Sequence, residues 1–267
     1  MEQVGANIPL VKLCSDKFES QIVLVTGAAQ GIGEVTARLF ATQGASVVLV
    51  DLNKDKLEQV AAGIESEGGK STFRVCNIGV EAEVHSLINE VVVTLGRIDV
   101  LIHLAGIYPF KPLLQSSSAE YHRVMNVNMD SCFFLTRAVL PHMQNAGYGR
   151  IINTTSGAIL HPEPGLSMYV AAKSAVAGFT RATAAEAGPG VTANAVCPGL
   201  IRTDNTWNSG IAPDGSRPLF DKTVGRQCVK RHGLPKDVAH TISFIASPEA
   251  EFITGQIFDV GGGATFG

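Results

Sequence analysis

An α/β fold, with a parallel sheet covered by helices on both faces, is predicted by two features of this sequence. Short apolar, β-branched runs near 22–26, 46–50, 71–76, 98–103, 150–155, 191–196 and 257–260 alternate with helical patterns near 32–43, 54–67, 80–95, 118–145, 166–187 and 235–246. Such alternation builds parallel sheets, because each helical crossover must return over a sheet face before the next strand begins. The second feature is a glycine-rich turn joining the first strand to the first helix. A chain of 267 residues, 45% hydrophobic and 17% charged, buries a large core and sits near the upper size of one domain. No internal repeat or low-complexity segment divides it.

The turn reads IVLVTGAAQGIGEVTARLF: an apolar run from Ile22 to Thr26, glycines at 27, 31 and 33, then a helical pattern carrying Val35, Leu39 and Phe40. A strand that turns through glycines into a helix aims backbone N–H groups and the positive helix end at one point, which suits a pyrophosphate. The spacing is G-x-x-x-G-x-G rather than the commoner G-x-G-x-x-G. The second strand ends in Asp51, eighteen residues after Gly33. A carboxylate there can accept hydrogen bonds from an adenosine ribose, or cap the next helix.

Further along, Tyr169 and Lys173 stand four residues apart in MYVAAK, and Ser156 lies thirteen residues before the tyrosine, closing the run RIINTTS. On a helix, positions i and i+4 share a face, so a phenol and an ammonium come together and a hydroxyl can meet them from a strand end. A nearby cation favours the phenolate and brings a tyrosine toward a useful pKa for proton transfer. An isolated YxxxK is more often an ordinary amphipathic surface; the glycine turn at the other end of the chain gives this one its meaning.

From about residue 18 to residue 263 the chain resembles the short-chain dehydrogenase/reductase family, in the subgroup with a TGxxxGxG loop and a YxxxK site. Residues 26–33 match the loop, Asn128, Ser156, Tyr169 and Lys173 match the four catalytic positions, and CPGLIRT at 197–203 matches the segment that flanks the nicotinamide. The resemblance implies a single-domain Rossmann fold, a doubly wound sheet of seven parallel strands in the order 3-2-1-4-5-6-7. It implies NAD or NADP held by Gly27, Gln30, Gly31, Ile32 and Gly33, by Asp51 and Leu52, and by Asn77, Ile78, Ala105 and Gly106. Tyr169, Lys173, Pro198, Gly199, Ile201 and Thr203 complete that set. In the implied mechanism Tyr169 is the general acid or base, Lys173 lowers its pKa and holds the nicotinamide ribose, Ser156 donates to the substrate oxygen, and Asn128 holds a water that links Lys173 to solvent. A tetramer is implied too, with the segments near 118–145 and 166–187 pairing across a two-fold axis. Apolar residues on more than one face of the first (Cys132, Phe133, Phe134, Leu135, Val139, Leu140) agree with that.

The chain departs from the family pattern in places. Where NNAG is usual it has His103-Leu104-Ala105-Gly106; the small pair is kept, the two amides are lost, and His103 reads as a structural residue. Asn77 stands where an Asp commonly meets the adenine amine and can still offer a carbonyl acceptor. The AGPGVTA link is about one residue shorter than usual, and Gly261 replaces the Asp of a terminal DGG.

Composition narrows the partners. Formal charge is −3, from 24 acidic and 21 basic residues without a basic cluster, which argues against nucleic acid or an anionic membrane. Cysteines at 14, 76, 132, 197 and 228 show neither CxxC nor Cys/His metal spacing, so no metal is expected and reduced thiols in a cytoplasmic enzyme are. Residues 1–17 read as an extension to a dehydrogenase domain spanning 18–267; their apolar stretch, interrupted by Pro9 and Lys12, is too short to span a membrane.

Residues 204–228 break the alternation and read as a lid with Trp207 and Phe220. Ile107, Tyr108, Phe110, Leu160, Leu166 and Trp207, with His161 and Glu163, are expected to face the substrate. A small or medium secondary alcohol or ketone suits such a surface; a 3-oxoacyl thioester on an acyl carrier is the alternative, which Arg202, Arg217, Lys222 and Arg226 would have to meet. Asp51 and a loop without basic residues favour NAD(H), with Lys54 as the one nearby cation. A non-catalytic NAD sensor need not retain all four catalytic residues, and a sugar-nucleotide epimerase usually needs a longer C-terminal region.

Overall fold

A computed structural model describes residues 16–209, 212 and 215–266. The expected extension therefore lies, up to residue 15, outside the described residues, as does Cys14. Seven strands form one sheet: β1 (Ile22–Thr26), β2 (Ser46–Asp51), β3 (Lys70–Val75), β4 (Val100–His103), β5 (Gly149–Thr154), β6 (Val191–Pro198) and β7 (Ile257–Val260). Their order is β3-β2-β1-β4-β5-β6-β7, every neighbouring pair parallel. This is the predicted doubly wound Rossmann sheet.

Strand periodicity sorts the core into two layers. Val23, Val25, Val47 and Leu49 point to one face, where they meet Phe40, Leu57, Ile64, Val238 and Ile242. Their neighbours Leu24, Val48 and Val50 point to the other and meet Val84, Leu87, Ile88, Leu135 and Val139. Buried on both sides, central strands gain from β-branched residues in every position. The edge strand β3 has an exposed or half-exposed side chain at each position, as an edge should.

Helices α1 (Gly31–Thr42), α2 (Lys54–Ser66) and α9 (Pro235–Ile245) pack against the first layer. α3 (Glu81–Leu95) and α5 (Ser131–Ala146) pack against the second. α6 (Ser167–Glu186) lies on β6, and Phe18, fully buried, stacks on Phe40 at 4.4 Å between ring centroids. No helix among the described residues is long and apolar enough to cross a membrane.

Two segments differ from the sequence reading. The single helix expected near 118–145 is two, α4 (Ser118–Met125) and α5, joined by a π turn over Asn126–Asp130 in which the Ser131 amide donates to the Asn126 carbonyl. Single π turns tend to mark functional positions, and Asn128 sits in this one. The proposed lid contains two short helices, α7 (Asp204–Asn208) and α8 (Pro218–Arg226), and buries Phe220. Residues 210, 211, 213 and 214 of that segment are outside the described residues.

Candidate active site

Parallel strands end together, so the C-terminal ends of β1, β2, β4, β5 and β6 open onto one edge of the sheet. A cavity of about 550 Å³ runs along that edge. Every residue assigned to the cofactor lines it, from Gly27 to Gly33 in the glycine turn, through Asp51, Leu52, Asn77, Ile78, Ala105 and Gly106, to Pro198, Gly199, Ile201 and Thr203. Ser156, Tyr169 and Lys173 line it as well. Asn128 does not; it is fully buried behind the wall.

Glycines shape this cradle by absence. A Cβ on Gly33 would stand 2.0 Å from the Gly27 carbonyl oxygen, and one on Gly106 would stand 2.6 Å from Asn128 Oδ1. Gly27 and Gly31 have φ of 71° and 62°, a region that side chains rarely adopt. Helix α1 begins without a side-chain cap at Gln30, so its first amides remain for an anion. Asp51 is tethered at the end of β2: Oδ1 accepts from the amides of Leu52 (2.7 Å) and Asn53 (3.1 Å), Oδ2 from that of Ala29 (3.3 Å). The helix that follows is capped by Asn53 and not by Asp51. Asn77 spends one lone pair of its Oδ1 on the Gly79 amide at 3.1 Å. These residues fit a dinucleotide.

The cation expected beside Asp51 is a different one. Lys54 pairs with Glu58 at 3.5 Å, one helical turn on, while Lys56 reaches across to donate to Gln30 Oε1 at 2.5 Å. The side chain of the third residue of α2 points back over the glycine turn; sequence distance from Asp51 hid it.

At the catalytic end, Tyr169 is hydrogen-bonded with Ser156. Lys173, almost fully buried, donates to the Thr154 carbonyl at 2.9 Å and lies 5.9 Å from the centre of the Tyr169 ring. Asn128 Nδ2 donates to the carbonyls of Ile107 and Val124, both at 2.9 Å. The expected lowering of the tyrosine pKa by Lys173 is not what this geometry produces. Burial raises the phenol above its ordinary value, and the hydrogen bond with Ser156 only partly offsets it. Burial also pulls Lys173 down to about 8. Its Nζ donates to a carbonyl, and the ammonium is not among the groups that offset the burial of the phenol.

The substrate end of the cavity is walled by Ile107, Tyr108, Phe110 and Leu166, with His161 and Glu163, as expected. Leu160 and Trp207 are not on that wall. Trp207 is held between the guanidinium groups of Arg202 (3.9 Å) and Arg217 (4.1 Å), with its edge toward Phe220 and His232. A cation on each face leaves no face for a ligand. The segment lends the cavity Asn205, Leu219, Thr223 and Arg226 instead, and Asn205 Nδ2 donates to the Tyr108 hydroxyl at 2.6 Å. Sequence reasoning named Arg226 only as a residue to meet an acyl carrier and missed the other three, since only the helical spacing of Leu219, Thr223 and Arg226 hinted that they share a face.

A family model described as enoyl-(acyl carrier protein) reductase matches residues 27–265. Among similar proteins, a 3-oxoacyl-(acyl-carrier-protein) reductase of Thermotoga maritima is 35% identical, the match covering 92% of this chain and 98% of that one. A meso-2,3-butanediol dehydrogenase of Serratia marcescens is 36% identical, over 93% and 96%. A cyclopentanol dehydrogenase of Comamonas is 34% identical, over 93% and 98%. A crystal structure of a dehydrogenase/reductase from Sinorhizobium meliloti superposes with a TM-score of 0.85 at 32% identity, covering 94% and 97%. The chain belongs to the short-chain dehydrogenase/reductase family of oxidoreductases, which use nicotinamide cofactors. Identities this even, across relatives named for such different substrates, leave the substrate to be argued from the site.

When bound, a nicotinamide dinucleotide supplies or takes up the hydride. Ser156 and Tyr169 line the cavity together, a hydroxyl able to donate a hydrogen bond and a phenol able to exchange a proton. Lys173 lines the same cavity, with its ammonium on the Thr154 carbonyl. Replacing Tyr169 by Phe is expected to lower kcat at least about a hundredfold while leaving cofactor affinity nearly unchanged, and Lys173→Ala to damage both. Steady-state rates with a cofactor titration check this; more than a tenth of wild-type turnover in Tyr169→Phe, with chemistry rate-limiting, would refute the assignment.

Proposed function

We propose that this protein is an NAD(H)-dependent dehydrogenase that interconverts a small or medium secondary alcohol and its ketone. The observation that carries the proposal is the state of the charges around the substrate end. Glu163 accepts from Lys222 through both oxygens at 3.1 Å and from Arg226 at 3.4 Å, and Arg226 also meets His161. Those partners hold the Glu163 carboxyl below its usual range, Lys222 foremost. Arg202 and Arg217 are spent on Trp207. All four basic residues that an acidic acyl carrier would need are thus engaged within the subunit. A cavity with apolar walls and paired charges suits a neutral substrate.

The second reading, reduction of a 3-oxoacyl thioester, is favoured by the name of the Thermotoga relative and by the description of the family model. Assays with NADH should compare cyclic and aliphatic ketones, cyclopentanone and acetoin among them, with acetoacetyl thioesters. Turnover of the ketones is expected. Thioester activity alone, at kcat/KM above about 10⁴ M⁻¹s⁻¹, would put the second reading in its place. The convergence of Ser156, Tyr169 and Lys173 on one cavity speaks against a non-catalytic NAD sensor.

The coenzyme follows from Asp51. Its carboxylate would repel a 2′-phosphate and can accept from a free 2′-hydroxyl, and the loop residues Ala28, Ala29 and Gln30 bring no cation. Lys56 is occupied by Gln30. A preference for NADH over NADPH of at least about tenfold in kcat/KM, roughly 1.4 kcal/mol, is expected, and Asp51→Ala should narrow it. Equal efficiency with NADPH would sink this.

A homotetramer accounts for apolar groups left uncovered. Of the residues on α5, Cys132, Leu135 and Val139 are buried within the subunit, but Phe133 stays 40% exposed beside Phe179 of α6. At the C-terminal end Phe252 is 99% exposed. Such groups usually find cover across symmetric interfaces. Light scattering at micromolar concentration is expected to give four times the 28.1 kDa subunit, and a monomer alone would refute it. The described cysteines are all free, which suits the reducing cytosol.

A further inference from the structure

His103 ends β4 beneath the glycine turn, is 1% exposed, and has both ring nitrogens engaged. Nδ1 lies 2.8 Å from Thr26 Oγ1 and Nε2 lies 3.1 Å from Ser131 Oγ. The protons of the two hydroxyls decide the tautomer. Ser131 donates its single proton to the Val127 carbonyl at 2.7 Å, so its oxygen can only accept from the ring. Thr26 Oγ1 already accepts from the amides of Leu104 (3.2 Å) and Ala105 (3.3 Å), so its own proton is free for Nδ1. With the ring proton on Nε2 every donor finds an acceptor. Moved to Nδ1, it would crowd a third donor onto Thr26 and leave two lone pairs facing each other at Ser131. Burial, with the charge of Lys173 adding to it, pushes the imidazole down to about 3, so it stays neutral.

What this chain of bonds joins gives it a role. At one end are Thr26, which opens the glycine turn, and the Leu104 and Ala105 backbone. At the other is the π turn, whose Ser131 amide has been diverted to Asn126. That turn carries Asn128, whose Oδ1 lies with Lys173 Nζ around one point above Gly106, at 2.6 and 3.5 Å from where a Cβ would be. We propose that His103, as the Nε2–H tautomer, is a positioning residue that locks the π turn carrying Asn128, and hence the surroundings of Lys173, to the cofactor turn. It rests on the reading of Tyr169 and Lys173 as the reactive centre. In a family where this position is usually an asparagine, the ring spans a gap that a shorter amide does not.

The two amide replacements separate the ends of the ring. An asparagine at 103 puts its terminal atoms where Nδ1 was and can serve Thr26 only; a glutamine reaches the place of Nε2 and can serve Ser131. Using NADH and the best ketone of the panel above, His103→Asn is expected to lose about tenfold in kcat with KM for NADH changed less than about threefold, and His103→Gln to stay within about threefold of wild type. Ser131→Ala should match His103→Asn, and the double variant should lose no more than either, because both cut one link. A folded His103→Asn with unchanged kcat, or equal losses in the Asn and Gln variants, overturns the proposal; should His103→Asn fail to fold, Ser131→Ala decides in its place. Nitrogen NMR of histidine-labelled protein tests the tautomer without any turnover. A bare Nδ1 and a protonated Nε2 from pH 8 to pH 5 are expected. A protonated Nδ1, or a ring that titrates in that range, overturns the proposal even if the kinetic reading of the site stands.

Discussion

Burying the ammonium of Lys173 is the constraint on which the rest of the site depends, because a cation taken out of water must be met by oriented dipoles or surrender its proton. The Thr154 carbonyl, at the open end of β5, meets it at 2.9 Å. That one dipole does not restore the lost hydration, and the pKa falls to about 8 from an ordinary 10.5. The sign of the consequence is fixed. The unfolded chain binds this proton more tightly, so stability rises with pH between about 8 and 10.5, and below 8 the burial costs on the order of 3 kcal/mol. The ionisable groups that feel the charge are a thiol and an imidazole: burial keeps Cys132 protonated, up to about 12, and His103 neutral. A carboxylate in either place would bind the ammonium as an ion pair. Neutral neighbours leave the charge available.

Backbone geometry supplies the dipoles that charge needs. Only in a parallel sheet do the strand ends carrying Thr26, His103, Thr154 and Pro198 point their last carbonyls and amides to the same edge. The glycine turn then lets α1 begin so close to β1 that a methyl on Gly33 would collide with the Gly27 carbonyl. Close approach and a shared edge together bring the glycine turn and Ser156, Tyr169 and Lys173 to one cavity.

Where causes are local, the sequence could be read directly. Strand positions followed from β-branched runs, the cofactor cradle from glycine spacing, and the meeting of Tyr169 with Lys173 from a one-turn separation on α6. Asn128 was legible as a motif residue, but not its π turn, since backbone hydrogen bonds shifted by one residue leave no mark on hydrophobic periodicity. Three other features escaped because they depend on where long side chains finally settle. Lys56 rather than Lys54 reaches the glycine turn, Trp207 turns from the cavity to lie between two arginines, and Lys173 faces a carbonyl rather than the phenol. The role of His103 lies between these cases. Its departure from the usual motif was visible at once, while its partners, 77 residues upstream and 28 downstream, were not.

Burial favours the protonated form of the phenol that results. Tyr169 sits in an apolar wall beside Tyr108, whose own pKa burial also raises, and the hydrogen bond with Ser156 does not compensate the lost solvent. In the hydrogen bond between Tyr169 and Ser156 one hydroxyl donates and the other accepts, so a carbonyl oxygen that took both protons would have to displace it. Removing the tyrosine proton works against that burial. Any cation drawn toward the phenol would lower that cost, because a nearby positive charge favours the phenolate.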